Sequence, residues 1–230
     1  MNLIQDLPQG EQYVLIKLSG GADSSIVYYA VCDKFKDRDD VKIVVVTLDT
    51  NFKNQYIASA KRIIRIVRNL TGKAPIDHIT RSVRHSETNY VNGQDALVKV
   101  AYTRYPITRM YSGLTINPPA DQLKKLVDHN IVRCNFDKRL AYEAIATRDI
   151  SRDMAIKLPK SFDSSGLVFV NHDKKRVAEA YRRYNMMELL YPYTFSCESP
   201  PWKLGQNKIP VHCGNCFFCL ERWYGFDRII

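Results

Sequence analysis

Apolar and polar positions along the chain follow two rhythms, and the first unit they define is strand, tight turn, helix. Tyr13 to Leu18 is a short, largely apolar run, and Ser24 to Phe35 has helical spacing with Ile26, Val27, Ala30 and Val31 inward. After the charged run KDRDD, the segment VKIVVVTLD (41–49) is continuously apolar and β-branched, as a strand buried on both faces should be. Residues 54–70 set Ile57, Ala60, Ile63, Ile64 and Val67 at helical spacing, with Gly72 as a stop signal. APIDHIT predicts a third, short strand. ALVKVAYTRYPITRMYSGLT predicts a helix broken near Pro106 and then a strand ending at the Ser112–Gly113 turn. Further helices are expected over DQLKKLVDHNIV and KRLAYEAIATRDISRDMAIKL. SGLVFVN reads as a strand, followed by a helix over HDKKRVAEAYRRYNMMELL with Val177, Ala180, Tyr184 and Leu189 inward. Strands alternating with helices, with no internal repeat or flexible linker, predict a three-layer α/β fold around a mainly parallel sheet.

The length of 230 residues suits one large domain, or one domain with a small appendage, and 45% apolar with 25% charged residues is ordinary globular composition. No apolar run approaches the roughly 18 residues of a membrane span. The start, MNLIQDLPQGEQ, has no basic region leading into an apolar one, so we expect a soluble, cytoplasmic chain without a membrane partner. A net charge of +10, from 34 Lys and Arg against 24 Asp and Glu, points to nucleotide phosphates or a nucleic acid, or else to a merely basic, solvated surface. Arg62, Arg65 and Arg68 pose the same choice on one helix: a solvated stripe or an anion contact.

Of six cysteines, Cys32 and Cys134 stand alone, whereas Cys197, Cys213, Cys216 and Cys219 crowd the C-terminal end. In a reducing compartment that crowding reads as metal ligation before disulfides. CGNCFFC lets one tight loop, turned at Gly214, offer three thiolates to a tetrahedral Zn2+, and Cys197 supplies the fourth across ESPPWKLGQNKIP. His212 competes for that fourth place, but its adjacency to Cys213 makes joint ligation awkward. An iron–sulfur cluster is the chemical alternative. Closure by four cysteines leaves no open position, so such a zinc holds the fold and does not activate water.

Between the first strand and helix lies LSGGADSS, residues 18–25. Gly20 and Gly21 let the backbone turn tightly and approach a ligand, and the following helix N-terminus favours an anion. Ser19, Ser24 and Ser25 add hydroxyls. Asp23 repels a phosphate unless a cation such as Mg2+ intervenes, and its position also fits a first-turn acid of the helix.

SGGADS matches the SGGxDS loop of the PP-loop N-type ATP pyrophosphatases, enzymes that cleave ATP between the α and β phosphates and hold the departing pyrophosphate in this loop. CGNCFFCLERWYGF further resembles the CGxCxxCxxR ending of the 7-cyano-7-deazaguanine synthase family within that superfamily. Asp173, Lys174, Thr194 and Cys197 fall in matching places, as do VVTLDT and YSGLT. The resemblance implies a Rossmann-like adenine nucleotide α-hydrolase fold, with an ATP-binding α/β domain over 1–192 and a zinc-binding segment over 193–230. It implies ATP contacts at Leu18, Ser19, Gly20, Gly21, Ala22, Asp23, Ser24, Ser25, Thr47 and Asp49. Catalytic roles fall to Ser19, Asp23, Ser24 and Lys174, and the zinc ligands are Cys197, Cys213, Cys216 and Cys219. ATP, Mg2+ and Zn2+ are the expected cofactors, a deazapurine carboxylate and ammonia the small-molecule partners, and a homodimer the expected assembly. Two segments depart from the family: its PGRN is NGQD here (92–95), losing an arginine, and its basic stretch after the second strand is TNFKN.

Three readings of function follow. The first is an ATP-dependent carbon–nitrogen ligase that adenylates a deazapurine carboxylate and converts it with ammonia to an amide or nitrile. The second keeps the ATP chemistry but takes a nucleic-acid acceptor, as tRNA thiolases do, with Cys134 or Cys32 as nucleophile. The third is a nucleotide-binding zinc module without turnover, for which NGQD is the main support. Lys174 is the candidate cation for phosphate or carboxylate charge in the first, or else a solvated lysine in DKKR.

Overall fold

The computed structural model describes residues 3–49, 55–83, 87–128, 166–197, 211–214 and 216–228. The chain divides into two compact units, one of Met1–Gly113 with Pro159–Val168 and one of Leu114–Leu158 with Phe169–Ile230.

In the first unit, β1 (Gln12–Lys17), α1 (Ala22–Lys34), β2 (Val41–Asp49), α2 (Gln55–Thr71), β3 (Asp77–Ser82), α3 (Glu87–Arg104) and β4 (Ile107–Ser112) alternate as the periodicity predicts. The four strands form a parallel sheet in the order β3-β2-β1-β4. Val14, Leu15 and Ile16 of β1 and Ile43, Val44 and Val45 of β2 are wholly buried, which is why these runs carry no polar alternation. The order steps outward from β1 to β3 and then crosses back to β4. Right-handed crossovers therefore put α1 and α2 on one face and α3 on the other. The direction reverses beside β1, so the crevice at the carboxyl ends of β1 and β4 is where such a sheet binds its ligand.

The second unit holds α4 (Ala120–Asp128), α5 (Lys174–Arg183), a 3-10 turn at Tyr191–Tyr193 and α6 (Phe217–Phe226). Asp173 caps α5, accepting from the Lys175 amide at 2.9 Å, and its other oxygen accepts from the Tyr224 hydroxyl at 2.6 Å, tying α5 to α6. Tyr181, Tyr191 and Phe226 form an aromatic core, the last two stacked at 4.0 Å. Leu123 of α4 packs with Phe217, Leu220 and Tyr224 of α6.

Two expected elements are corrected. SGLVFVN is not a strand: Leu167 makes one isolated parallel bridge to Ser112, and the backbone then turns, the His172 amide bonding back to the Phe169 carbonyl at 2.8 Å. Its apolar character serves burial of Leu167 and Phe169, not sheet pairing. The helix over 172–190 stops at Arg183, where Tyr184 caps it and Asn185 takes φ +57°. That break moves the inward position on by one, so Leu190 is buried while Leu189 is 49% exposed. The helix predicted over KRLAYEAIATRDISRDMAIKL, the TNFKN segment, Cys134 and most of the loop between Cys197 and Cys213 lie outside the described residues.

Candidate functional site

The first unit sets LSGGADSS at the carboxyl end of β1, with Leu18 still held to the sheet by its amide bond to Val46 (3.0 Å). Gly20 turns the chain with φ +81°, and Gly21, extended at φ −75° and ψ 168°, is the N-cap of α1. A glycine there has no side-chain acceptor, so the start of α1 is not capped from its own N-cap residue. The loop is braced on two sides. A Cβ on Gly20 would stand 2.6 Å from Ser59 Cβ and 2.9 Å from the Ala60 amide of α2. One on Gly113, just past β4, would stand 2.5 Å from the Asp23 carbonyl carbon and the Ser24 amide. Both glycines are therefore close-contact positions, and they clamp the turn between α2 and the end of β4.

The loop hydroxyls form a directed chain. Ser24 Oγ donates to the Gly21 carbonyl at 3.3 Å and accepts from the Ser19 amide at 3.2 Å. Its single proton is thus committed, so Ser19 Oγ is the donor in the 3.0 Å contact between the two hydroxyls and accepts in turn from the Gly21 amide at 3.3 Å. Ser19 is exposed and Ser24 buried, which puts the movable hydroxyl at the solvent side. Ser25 and Ser59 hydroxyls are buried without a hydrogen-bond partner among the described residues. Unsatisfied buried hydroxyls and an N-cap glycine make a site that gains from an anion. Asp23 is partly buried in the first turn of α1, where its carboxylate fits a cation screening that anion.

Thr47 and Asp49 lie next to this turn on β2, both buried. Thr47 Oγ1 donates to the Leu18 carbonyl at 2.6 Å and so accepts from His78 Nε2 at 2.8 Å, which sets the histidine as its Nε2–H tautomer. Asp49 Oδ2 accepts from the Tyr56 and Ile57 amides at 3.1 and 3.4 Å, so its carboxylate holds the start of α2. Sequence reasoning missed His78, a lone histidine in an edge strand with no spacing to mark it. Burial, with the Lys61 charge nearby, lowers the His78 pKa from 6.5 to about 4. Between those values the unfolded chain takes up a proton that the folded chain refuses, so stability falls as the pH drops from 6.5 toward 4. Denaturant titrations at several pH values should show a shallower acid loss for His78→Gln than for the parent. Equal acid sensitivity in both would assign the effect elsewhere.

NGQD lies inside α3, not in a loop. Asp95 is exposed, and its charge partly offsets the downward pull of burial on the Lys17 ammonium, which ends β1. Gln94 Oε1 is buried without a hydrogen-bond partner among the described residues. Cys32 is fully buried in α1, and burial pushes its thiol up to about 12, which unfits it as a nucleophile.

In the second unit, Cys197, Cys213, Cys216 and Cys219 bring their sulfurs within 4.8 Å of one another. Cys216 Sγ lies 3.4 Å from Cys219 and 3.9 Å from Cys197, and Cys213 lies 3.9 Å from Cys219. A tetrahedron with metal–sulfur bonds of 2.3 Å has sulfur–sulfur edges of about 3.8 Å. The set therefore fits one ion, whereas a cubane cluster, binding each thiolate through a different iron, needs them further apart. Cys213 also donates its amide to Cys197 Sγ at 3.4 Å, a contact that supports thiolate charge. Hydrogen bonding with Cys197 and Cys216, and then burial, raise the pKa of the Cys219 thiol, so a cation binding there displaces a proton. His212 is not in the group; its ring leans on Phe195 at 5.2 Å.

The turn after Cys219 carries two fully buried charged residues that sequence reasoning did not single out. Arg222 donates from Nη1 to Thr194 Oγ1 at 2.9 Å and lies 4.3 Å over the Tyr191 ring. Its place as the last residue of CGxCxxCxxR was the available signal. Glu221 approaches the Lys174 ammonium at 3.9 Å, and both are buried, so Lys174 is not the solvated lysine of a charged run.

The sequence matches no protein-family model and no curated protein. Among solved structures, the fold is similar to that of the U34-tRNA thiolase NcsA from Methanococcus maripaludis, solved with its [4Fe-4S] cluster. The TM-score is 0.50 at 13% identity, over 87% of this chain, which spans 64% of the length of that one. NAD+ synthetase from Burkholderia pseudomallei is matched at a TM-score of 0.32 and 17% identity, over 79% of this chain and 69% of that one. The first likeness is one of fold: the α/β architecture described above.

Proposed function

We propose that the chain is an ATP-dependent ligase of the PP-loop type that adenylates the carboxylate of a 7-deazapurine. The observation that carries this reading is the LSGGADSS turn: braced between α2 and the end of β4, it sets an uncapped helix start, with the unsatisfied Ser25 and Ser59 hydroxyls beside it, at the sheet's switch point.

In this reading a carboxylate oxygen of the acceptor attacks the α phosphorus of ATP. The α–β bridging bond breaks, and pyrophosphate leaves into residues 19–25. Ammonia then attacks the acyl carbon and AMP departs with the carboxylate oxygen, leaving an amide and a proton. A second ATP is attacked by the amide oxygen with release of pyrophosphate, and AMP then leaves with that oxygen as the nitrogen gives up its two protons, which yields the nitrile. Adenylation is required because a carboxylate is a poor electrophile and oxide a poor leaving group. Ser19, the solvent-side hydroxyl, turns its proton from Ser24 to the departing charge, Asp23 would hold the Mg2+ that screens it, and Thr47 keeps the loop entrance in place through Leu18. Lys174 is held by Glu221 within the second unit. The four cysteines would hold a structural Zn2+, whose only part is to fix the fold around them.

Incubation with ATP, Mg2+, ammonium and 7-deazapurine acids should release AMP and pyrophosphate together with a product lighter than the acid. AMP released only with a nucleic-acid acceptor moves the assignment to the second reading, and tight ATP binding with no AMP from any acceptor moves it to the third. Metal analysis accompanies the assay: stoichiometric iron and sulfide in place of one zinc per chain would remove the zinc assignment.

A further inference from the structure

We propose that the outer face of α2, with the cleft beside β3, binds the phosphodiester backbone of a nucleic acid. This stands apart from the adenylation reading, since it requires neither ATP nor metal nor any acceptor chemistry.

Helix α2 carries four basic residues and no acidic one over its 17 positions. A helix face that is merely solvated mixes signs and gains i,i+4 pairs; this one forgoes them. Lys61, Arg65 and Arg68 are exposed at i, i+4 and i+7, so they share one face, and no ion pair among the described residues involves any of them. Their charges act on one another's surroundings: Arg65 lowers the Arg62 pKa and Lys61 lowers that of His78, after burial in each case. Arg68 near the helix C-terminus is favoured by the helix dipole, but Lys61 and Arg65 have no such local reason.

Beside this face the carboxyl end of β3 contributes Thr80, Arg81 and Ser82, all exposed. With Ile57, Ala58 and Lys61 of α2 they line a cleft of about 480 Å³. The cleft therefore joins two cations to two hydroxyls, a donor set for phosphate oxygens. β3 is an end strand of the described sheet, so no strand among the described residues covers this side.

Length decides between a free phosphate and a polymer. At 1.5 Å per residue, Lys61 to Arg68 spans about 10 Å, room for about three successive phosphates of one strand. A single phosphate engages the cleft and leaves Arg65 and Arg68 without purpose. The position also carries information. In a parallel βαβ unit the helix starts at the carboxyl edge of the sheet, and Ser59 and Ala60 of α2 touch the phosphate loop at Gly20. Ala58 and Lys61, on the same turns, face the cleft. A strand lying on α2 thus ends one helix width from the loop.

The test is fluorescence anisotropy of the full chain with labelled single-stranded RNA of about 20 nucleotides, from about 50 to 300 mM salt. Each phosphate contact on a single strand contributes about 0.7 to the slope of log affinity against log salt. The variant Lys61→Gln, Arg65→Gln, Arg68→Gln should lower that slope by about 2, and Arg81→Gln alone, on a different element, by about 0.7. These positions are exposed, so thermal melting should match the parent. Replacing Arg176, Arg182 and Arg183 of α5 by Gln should leave the slope unchanged. An equal loss from the α5 variant, or no change in slope from either α2 or β3 variant, overturns the proposal. So does binding of inorganic polyphosphate at this face with no affinity for RNA.

Discussion

Gly20→Ala should cut ATP-dependent AMP formation by at least ~100-fold and destabilise the first unit by roughly 2–4 kcal/mol. The stability cost has two sources. Gly20 sits at φ +81°, where a side chain is strained, and its Cβ would press on Ser59 Cβ at 2.6 Å and on α2 backbone at 2.9 and 3.0 Å. Backbone cannot rotate away as a side-chain tip can, so either α2 recedes or the turn opens. The activity cost follows because the same turn aligns the Ser19–Ser24 hydroxyl chain and the start of α1, and loss of one aligned donor at a developing charge costs roughly 10²–10³ in rate. Gly72→Ala is the matched control. Gly72 also has positive φ (+76°), but nothing lies within 4 Å of its would-be Cβ. It should cost about 1 kcal/mol and leave ATP turnover intact. Denaturant titration and AMP release measure the two effects separately. Similar loss of turnover in both variants would locate the defect in general destabilisation and not in the loop.

With the zinc proposed above, a chelator or Cys219→Ser should unfold the second unit around its cysteines. Binding to structural zinc sites supplies about 10–16 kcal/mol in peptides that have little other core. This unit has one, built on Tyr181, Tyr191 and Phe226, so a partly folded state with a much lower melting temperature is expected in place of full unfolding. Cys219 is fully buried on α6, and a serine hydroxyl there cannot provide the thiolate charge. Trp223 reports on the outcome, since it lies on α6 against the Leu123–Phe217 cluster. Its emission should shift to the red on chelation and recover with zinc. Cys32→Ser should bind the same amount of metal as the parent. A metal-free chain with unshifted emission and unchanged melting would show the four thiols to be dispensable.

The glycine–serine turn and the cysteine cluster were legible because each is local: six residues between two apolar runs in one case, three cysteines within seven in the other. Buried strands were legible for the same reason, since an uninterrupted β-branched run such as VKIVVVTLD has one stable environment. What escaped is set by partners distant in sequence. Asp49 caps α2 only because β2 ends beneath it, and His78 matters only because register places it near Thr47, 31 residues earlier. SGLVFVN has the composition of a strand, but a run forms one only where a neighbour offers an edge over several residues, and here Ser112 alone does. Arg222 was visible as a motif letter, yet its total burial depends on Tyr191 and Thr194 coming from another segment.

The position of β4 has a consequence for how the protein comes into being. β1 pairs with β2 about 30 residues on, but with β4 only about 95 residues on. Closing that longer loop costs more chain entropy, and nothing rewards it until β4 docks. During synthesis β1, β2 and β3 can associate first, with the β1 edge toward β4 left bare. Gly113 reaches the start of α1 only when β4 is in place, so the turn acquires its second brace last. A nascent chain halted before residue 107 should therefore expose a sticky strand edge, and the fully braced turn should appear abruptly once Gly113 has cleared the ribosomal tunnel.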